Sequence, residues 1–363
     1  MKKKALWKKI ILGIVGVVLA LGLAFFVWIL ILTATEYNPE EIESVAVSGK
    51  YSKTLAEGDT ISLLTWNIGY AALGDNADFF MDGGTHVMTS SVERVQENLK
   101  TITDTVEELS PDIVFFQEVD EDSKRTYSID EVQTLIGDFS GYQNAFAINY
   151  KCLYVPYPIP TIGKVNSGIL TLSRFETTSA ERVKLPCPFS WPVRVANLKR
   201  GLLVERIPIQ NSEKELVIIN LHLEAYDDGE GKEAQTAVLK ELLESEMAAG
   251  NYVIAGGDFN QTFSSTDTSS YPQVSEDLWQ PGRIDVSDFS EELQFIADST
   301  TPTCRSLDQP YVGADRDNFQ YYMTDGYIVS SNIKVESAET LDKEFVSADH
   351  NPVLLSVTLL DEK

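Results

Sequence analysis

Nine short apolar runs, rich in β-branched residues and parted by turn signals, limit what this 363-residue chain can fold into more than any other feature. They are Ile61–Tyr70, Ile113–Val119, Ala145–Tyr150, Gly168–Phe175, Leu202–Ile209, Leu216–Leu223, Tyr252–Ala255, Gly326–Val329 and Val353–Leu359. Runs of this length and composition read as strands rather than helices. Two segments carry the helical period instead. Val92, Val95, Leu99, Ile102, Val106 and Leu109 form one stripe at spacings of 3 and 4, with Ser90 and Glu93 expected as a capping box and Pro111 as the stop. Ala234, Ala237, Val238, Leu242 and Met247 line a second face, and Gly250 fits the C′ position. Many strands, few helices and no internal repeat predict a single α/β (α+β) domain with two packed sheets and helices outside. Residues 261–323 lack strong periodicity; a segment that long in a domain is either functional or disordered, and its place directly after the most polar strand end favours a role at the site. Three cysteines, Cys152, Cys187 and Cys304, allow at most one disulfide, and their spacing chooses no pair.

Ahead of this domain, Ile10–Leu32 is 23 residues without a charge. At about 1.5 Å per residue it spans the roughly 30 Å core of a bilayer. Lys2, Lys3, Lys4, Lys8 and Lys9 precede it and Glu36, Glu40 and Glu41 follow, which places residues 1–9 in the cytoplasm and residue 36 onward outside. The competing reading is a cleaved signal peptide, whose apolar stretch is about 7–15 residues. Residues 33–58 then read as a tether with an edge strand near Ser44–Ser48, and residues 59–363 as the exported domain. After the five lysines the chain carries 24 basic against 55 acidic side chains, a formal −31. Such a body repels polyanions, which excludes a general nucleic-acid coat protein and disfavours nucleic acid as a substrate.

Several of the apolar runs finish on an unusual polar group. Leu63-Leu64-Thr65-Trp66 ends at Asn67, and Ile113–Gln117 at Glu118. Val217–Leu221 runs into His222, and Val253–Gly257 into Asp258-Phe259-Asn260. Ser347-Ala348-Asp349-His350 opens the last run. Each has an ordinary explanation taken alone: a turn, an ion pair, a hydrogen-bonded core histidine. Together they point elsewhere, because two of the three histidines in the chain stand at such ends, and a buried charge must be paired, solvated or bound to a metal.

These segments, in this order, resemble the endonuclease/exonuclease/phosphatase superfamily with its deoxyribonuclease I-like fold, over about residues 60–360. The resemblance implies a four-layer α/β-sandwich, two mixed sheets flanked by helices, and divalent-metal-dependent hydrolysis of phosphate esters. It implies metal ligation by Glu118 with Asn67 beside it and Asp349 in reach, the ion being Mg2+ with Mn2+ as the substitute. It implies that Asp258 orients or deprotonates the attacking water and that Asn260 donates to the phosphoryl oxygens. It further makes His350 the strand-leading histidine, Asp325 the aspartate that orients it, and His222 the second histidine found in only some branches. Phe79-Phe80-Met81-Asp82-Gly83-Gly84 lies outside the common pattern and looks like a feature of a bacterial, membrane-anchored branch.

The chemistry asks for these residue types independently. An anionic phosphoester repels hydroxide, so a hard cation held by carboxylates, a positioned water and a base are needed. The expectation is therefore a single-pass, membrane-anchored, extracytoplasmic phosphoesterase acting on a lipid-linked or small soluble substrate. An extracytoplasmic nuclease of the same fold is the alternative, and an inactive binding module the rival from another class. Oligomeric state leaves no mark in the sequence.

Overall fold

Strands whose two faces are both apolar need a layer on each side, and three clusters of side chains supply them. The computed structural model describes residues 2–227 and 229–361. Leu63, Phe115, Ile218, Ile254 and Tyr327 fill the space between two seven-stranded mixed sheets. One sheet runs, in spatial order, Ile42–Val45, Ser179–Lys184, Gly201–Pro208, Glu215–His222, Tyr252–Asp258, Asp325–Ser330 and Leu293–Ile296. The other runs Ile333–Thr340, Val353–Leu359, Thr60–Asn67, Ile113–Asp120, Gly163–Ser173, Gln143–Val155 and Ser48–Gly49.

Four α-helices stand among the described residues: α1 (Lys2–Ala34), α2 (Val92–Leu109), α3 (Glu131–Asp138) and α4 (Glu230–Ala248). The stripe Val95, Leu99, Ile102 and Val106 packs α2 on Leu64, Val114 and Phe116, the outer face of the second sheet. Each such side chain contributes roughly 1.5–3 kcal/mol on full burial. Leu239 and Leu243 pack α4 on Val217, Ile219 and Val253, the outer face of the first. Helix, sheet, sheet and helix give four layers.

Local details depart from expectation in instructive ways. The N-cap of α2 is Ser91, whose hydroxyl accepts from the Arg94 N–H (3.3 Å), while the Ser90 hydroxyl donates to Ala72 O (2.9 Å) and is buried. In α4 the buried line is Lys232, Gln235, Leu239, Leu243 and Glu246, rotated from the expected stripe, which is only half-buried at Val238, Leu242 and Met247. Two buried polar contacts turn the helix: the Lys232 ammonium donates to Ala225 O (2.8 Å) and the Gln235 amide to Pro186 O (2.8 Å). Residues 261–323 are not an open loop. Gln261–Phe263 pairs with Gly282–Ile284, and Cys304–Arg305 with Tyr321–Tyr322. The three cysteines are free thiols.

Helix α1 holds a 29-residue stretch, Leu6–Ala34, long and apolar enough to cross a membrane. Its last turn is fastened to the domain. Leu32 is 2% exposed against Val195, Val155 and Ile162. The Trp191 indole donates to Thr33 Oγ1 (3.0 Å), and Glu36 lies 3.2 Å from Lys199 Nζ and 3.4 Å from Arg194 Nε. Residues 42–45 and 48–49 then add an edge strand to each sheet in turn.

Candidate active site

Register gathers the polar strand ends at one edge of the sandwich. Parallel pairing sets Asp258 level with His222, and antiparallel pairing sets it level with Asp325. In the second sheet Asn67 is level with Gln117, and Thr65 faces Val353, which leaves Ser347–Pro352 at the same edge. A bulge between Phe116 and Val119 swings Glu118 out of line with φ at +55°, and Asn260 stands at φ +51°. Each left-handed non-glycine residue costs about 1–2 kcal/mol, and such strain collects where a side chain must be aimed.

The eight residues singled out in the sequence come together there. The Asn67 amide donates to Asp258 Oδ2 (3.0 Å) and Glu118 Oε1 (3.3 Å), while its oxygen accepts from the Gly69 N–H (3.0 Å). Asn67 thus bridges two carboxylates as a donor, its oxygen turned to the backbone. His222 Nε2 lies 3.4 Å from Asp258 Oδ2 and 3.9 Å from Glu118 Oε1. His350 Nε2 lies 3.8 Å from that same Asp258 oxygen, and its Nδ1 is 2.8 Å from Asp325 Oδ2. The Trp66 indole N–H holds the His350 carbonyl (2.9 Å). Asn260 donates from its backbone to Asp258 Oδ1 and from its amide to Leu223 O, each at 2.8 Å. Asp349 is buried, and its Oδ1 has no hydrogen-bond partner. Beneath them, Gln117 donates to Asn220 Oδ1 (2.8 Å) and Asn220 to Leu170 O (3.1 Å), tying the two sheets together under the site.

Burial sets the protonation of this cluster. It raises Asp258 to about 7, with the Asp325 carboxylate adding to the rise, and it raises Asp349 to about 6. Burial drives His222 well below its ordinary value, and Arg200 and His350 push it the same way. At His350 burial pulls down too, but Asp325, Cys304 and Asp258 outweigh it and the imidazolium is favoured. The site therefore holds one histidine biased neutral and one biased charged, the division that separates acid from base.

The donor set suits a divalent cation. Carboxylates from Glu118, Asp258 and Asp349 face a cavity in which the guanidiniums are already engaged: Arg125 with Asp120 (2.9 and 3.1 Å), Arg200 with Glu224 (3.4 Å). The orphaned Asp349 oxygen needs a cation or a donor. Burial holds the neighbouring Cys304 thiol up at about 12, so the set is rich in oxygen and poor in thiolate, which favours a hard ion. Asp258, Asp325 and His350 place ligand atoms within 4.8 Å of one another, as do Cys304, Asp349 and His350.

Sequence reasoning missed four residues that face the same cavity of about 330 Å3. The Tyr226 hydroxyl contacts both Asp82 carboxylate oxygens at 3.2 Å, and burial, with Asp349 adding to it, raises Asp82 to about 7. Tyr70 Oη and Asn149 Nδ2 are buried polar atoms without partners. No local pattern marks these four as site residues, since each joins the cavity only when distant parts of the chain meet.

A four-layer sandwich with carboxylates, amides and histidines at one sheet edge defines a class of phosphoester-processing folds. The family model of the endonuclease/exonuclease/phosphatase family matches residues 64–312, and the chain belongs to that family. Its members are typically hydrolases of phosphoesters and generally depend on a divalent metal. Among solved structures, an endonuclease/exonuclease/phosphatase from Beutenbergia cavernae is 15% identical, with TM-score 0.56, covering 83% of this chain and 72% of its own. One from Bacteroides vulgatus is 16% identical, TM-score 0.51, with 83% and 99% covered. A conserved protein of unknown function from Enterococcus faecalis is 15% identical, TM-score 0.52, with 82% and 99% covered. A comparison with curated proteins gives no match. At such identities the likeness speaks for the fold.

Proposed function

We propose that the protein is a membrane-anchored phosphoesterase that uses Mg2+, or Mn2+ in its place, with α1 spanning the bilayer and residues 59–363 acting on its outer side. The lysines before α1 and the acids after it support that orientation. The observation that carries the chemistry is Asp258, one carboxylate set between Asn67, His222 and His350, with Glu118 on the far side of Asn67.

Glu118 and Asp349 would hold the ion, with Asn67 beside them. Held there, the ion would supply Lewis-acid polarisation of a phosphoryl oxygen and would offset the charge that turns nucleophiles away. Asp258 accepts a proton from the attacking water and fixes its direction. Asn260 presents its amide edge to the phosphoryl oxygens without adding negative charge. Asp325 holds Nδ1 of His350, so Nε2 points at the reacting group as a proton donor for the departing oxygen or as a stabiliser of the phosphoryl charge. His222, biased neutral, turns Nε2 toward the Asp258 carboxylate 3.4 Å away and helps to orient it.

Mg2+-dependent release of p-nitrophenol from bis-p-nitrophenyl phosphate tests the reading. Asp258→Ala and His350→Ala are expected to lower kcat at least 10²-fold while the fold is kept. Activity untouched by both changes would show that the site lies elsewhere, and activity absent from the intact protein would refute the reading and leave a binding module. Rapid loss of DNA or RNA in a gel assay would instead favour a nuclease, against the −31 body and the engaged arginines.

A further inference from the structure

The cavity over the carboxylates does not end at the catalytic edge. It continues, with walls mostly apolar, to Ile29 and Leu32 in the last turns of α1. Val155, Ile162, Phe189 and Val195 line the stretch between, and Phe79 and Met81 stand nearer the site. We propose that this groove holds the hydrocarbon chain of a lipid phosphoester drawn from the bilayer around α1, with its phosphorus at Glu118, Asp258 and His350. The proposal rests on the phosphoesterase reading and names its substrate class.

Three observations support a membrane lipid over a soluble ester. First, the groove opens where the apolar helix enters the domain, so a chain could pass from the bilayer into it without crossing water. Second, the loops at that mouth are unusually apolar at their surface. Ile159 is 94% exposed, and Tyr157, Val193, Leu153 and Trp191 are about half exposed. Trp191 is bonded to Thr33 of α1, so this rim stands level with the end of the membrane helix, where exposed aromatics and aliphatics belong in the interface. Third, the polar lining of the cavity includes buried groups that have no partner. Tyr70 Oη and Asn149 Nδ2, both buried and unpartnered, join the catalytic carboxylates and would meet head-group oxygens. An apolar passage with unsatisfied polar groups matches an amphiphile.

The reaction is hydrolysis. The water oxygen forms a bond to phosphorus, one P–O ester bond breaks, and the leaving oxygen takes a proton, so the products are an alcohol and the shortened phosphate. No oxidant or other co-reactant enters.

The test uses the full-length protein with Mg2+ in dioleoyl phosphatidylcholine vesicles carrying phosphatidic acid, a monoester, or phosphatidylglycerol, a diester. The same head groups on dihexanoyl chains, and bis-p-nitrophenyl phosphate, serve as soluble counterparts. At least one dioleoyl ester is expected to exceed its dihexanoyl form tenfold or more in kcat/KM, and Val155→Trp is expected to cut that ratio at least tenfold. A second readout needs no turnover: a phosphatidic acid bearing a photoreactive group at its chain end is expected to label peptides containing Val155 or Val195, with dioleoyl and not dihexanoyl lipid competing. Hydrolysis of soluble esters with no chain-length preference, and labelling confined to α1, would overturn the lipid assignment and leave the phosphoesterase intact. Chain-end labelling in the groove without hydrolysis of any ester would instead overturn the catalytic reading.

Discussion

Glu205 offers a sharp physical test of the packing between the sheets. It lies on the Gly201–Pro208 strand between Leu203 and Ile207, faces the sheet-to-sheet interior, and is 1% exposed. Thr177 donates to one carboxylate oxygen (3.3 Å), and the Thr171 hydroxyl lies beside the carboxylate. Burial raises its pKa from 4.5 to about 7, with the hydrogen bonds from Thr171 and Thr177 offsetting part of the rise. A raised carboxyl binds its proton more tightly folded than unfolded, so the contribution of Glu205 to stability is greatest below pH 4.5 and falls as the pH climbs to about 7. Above that both states are ionised and the loss is constant. At 1.36 kcal/mol per unit, the difference between 4.5 and 7 is about 3 kcal/mol. Glu205→Gln removes the titration and keeps the volume. The assay is thermal unfolding in detergent from pH 4 to pH 9, comparing the two proteins at each pH. The gap in favour of the variant is expected to open between pH 4.5 and 7, reach about 5 °C at roughly 2.1 cal/mol/K per residue for a domain this size, and stay level above. A gap that does not change with pH would show that Glu205 reaches water or an unseen cation, and the reasoning from burial would fail.

Other expectations concern the site. Asp325→Asn keeps the shape behind His350 but removes the charge that favours its imidazolium, so kcat should fall about 10²–10⁴-fold and the pH–rate profile should lose the limb that reports His350. Trp66→Phe strips the donor from the buried His350 carbonyl and should cost about 1–3 kcal/mol in urea unfolding, with a drop in kcat. Saturating Mg2+ at about 100 Kd should stabilise the chelated protein by roughly 2.7 kcal/mol in a melting assay, and Asp349→Asn should remove most of that response. Asp227→Ala should cost about 0.5–2 kcal/mol, because its Oδ2 accepts from the Gly229 and Gly231 N–H groups at the start of α4.

What could be read from the sequence depended on how local the cause was. Apolar runs that end in Asn, Glu, His or Asp are local patterns, and strand pairing carries them to one edge, so the gathering of these polar groups was legible. The stripe of α2 was legible too, but with Ser90 and Ser91 adjacent, spacing could not say which hydroxyl caps the helix and which bonds to Ala72. The face of α4 was misjudged because Lys232 and Gln235 are buried by specific carbonyls, contacts that hydropathy cannot show. The left-handed turn at Glu118 comes from a bulge that leaves no sign in Gln117-Glu118-Val119. Asp82, Tyr226, Tyr70 and Asn149 became visible only once remote parts of the chain had met.

The ion pairs at Glu36 have a geometric meaning. Two residues after α1 ends, the chain is clamped to Lys199 and Arg194, and within a few more it is woven into both sheets. Such a linkage leaves no slack for swivelling. With α1 embedded, the carboxylates would stay at one height and one tilt over the lipid surface, so the protein could sample molecules only as they drift past sideways within its own leaflet.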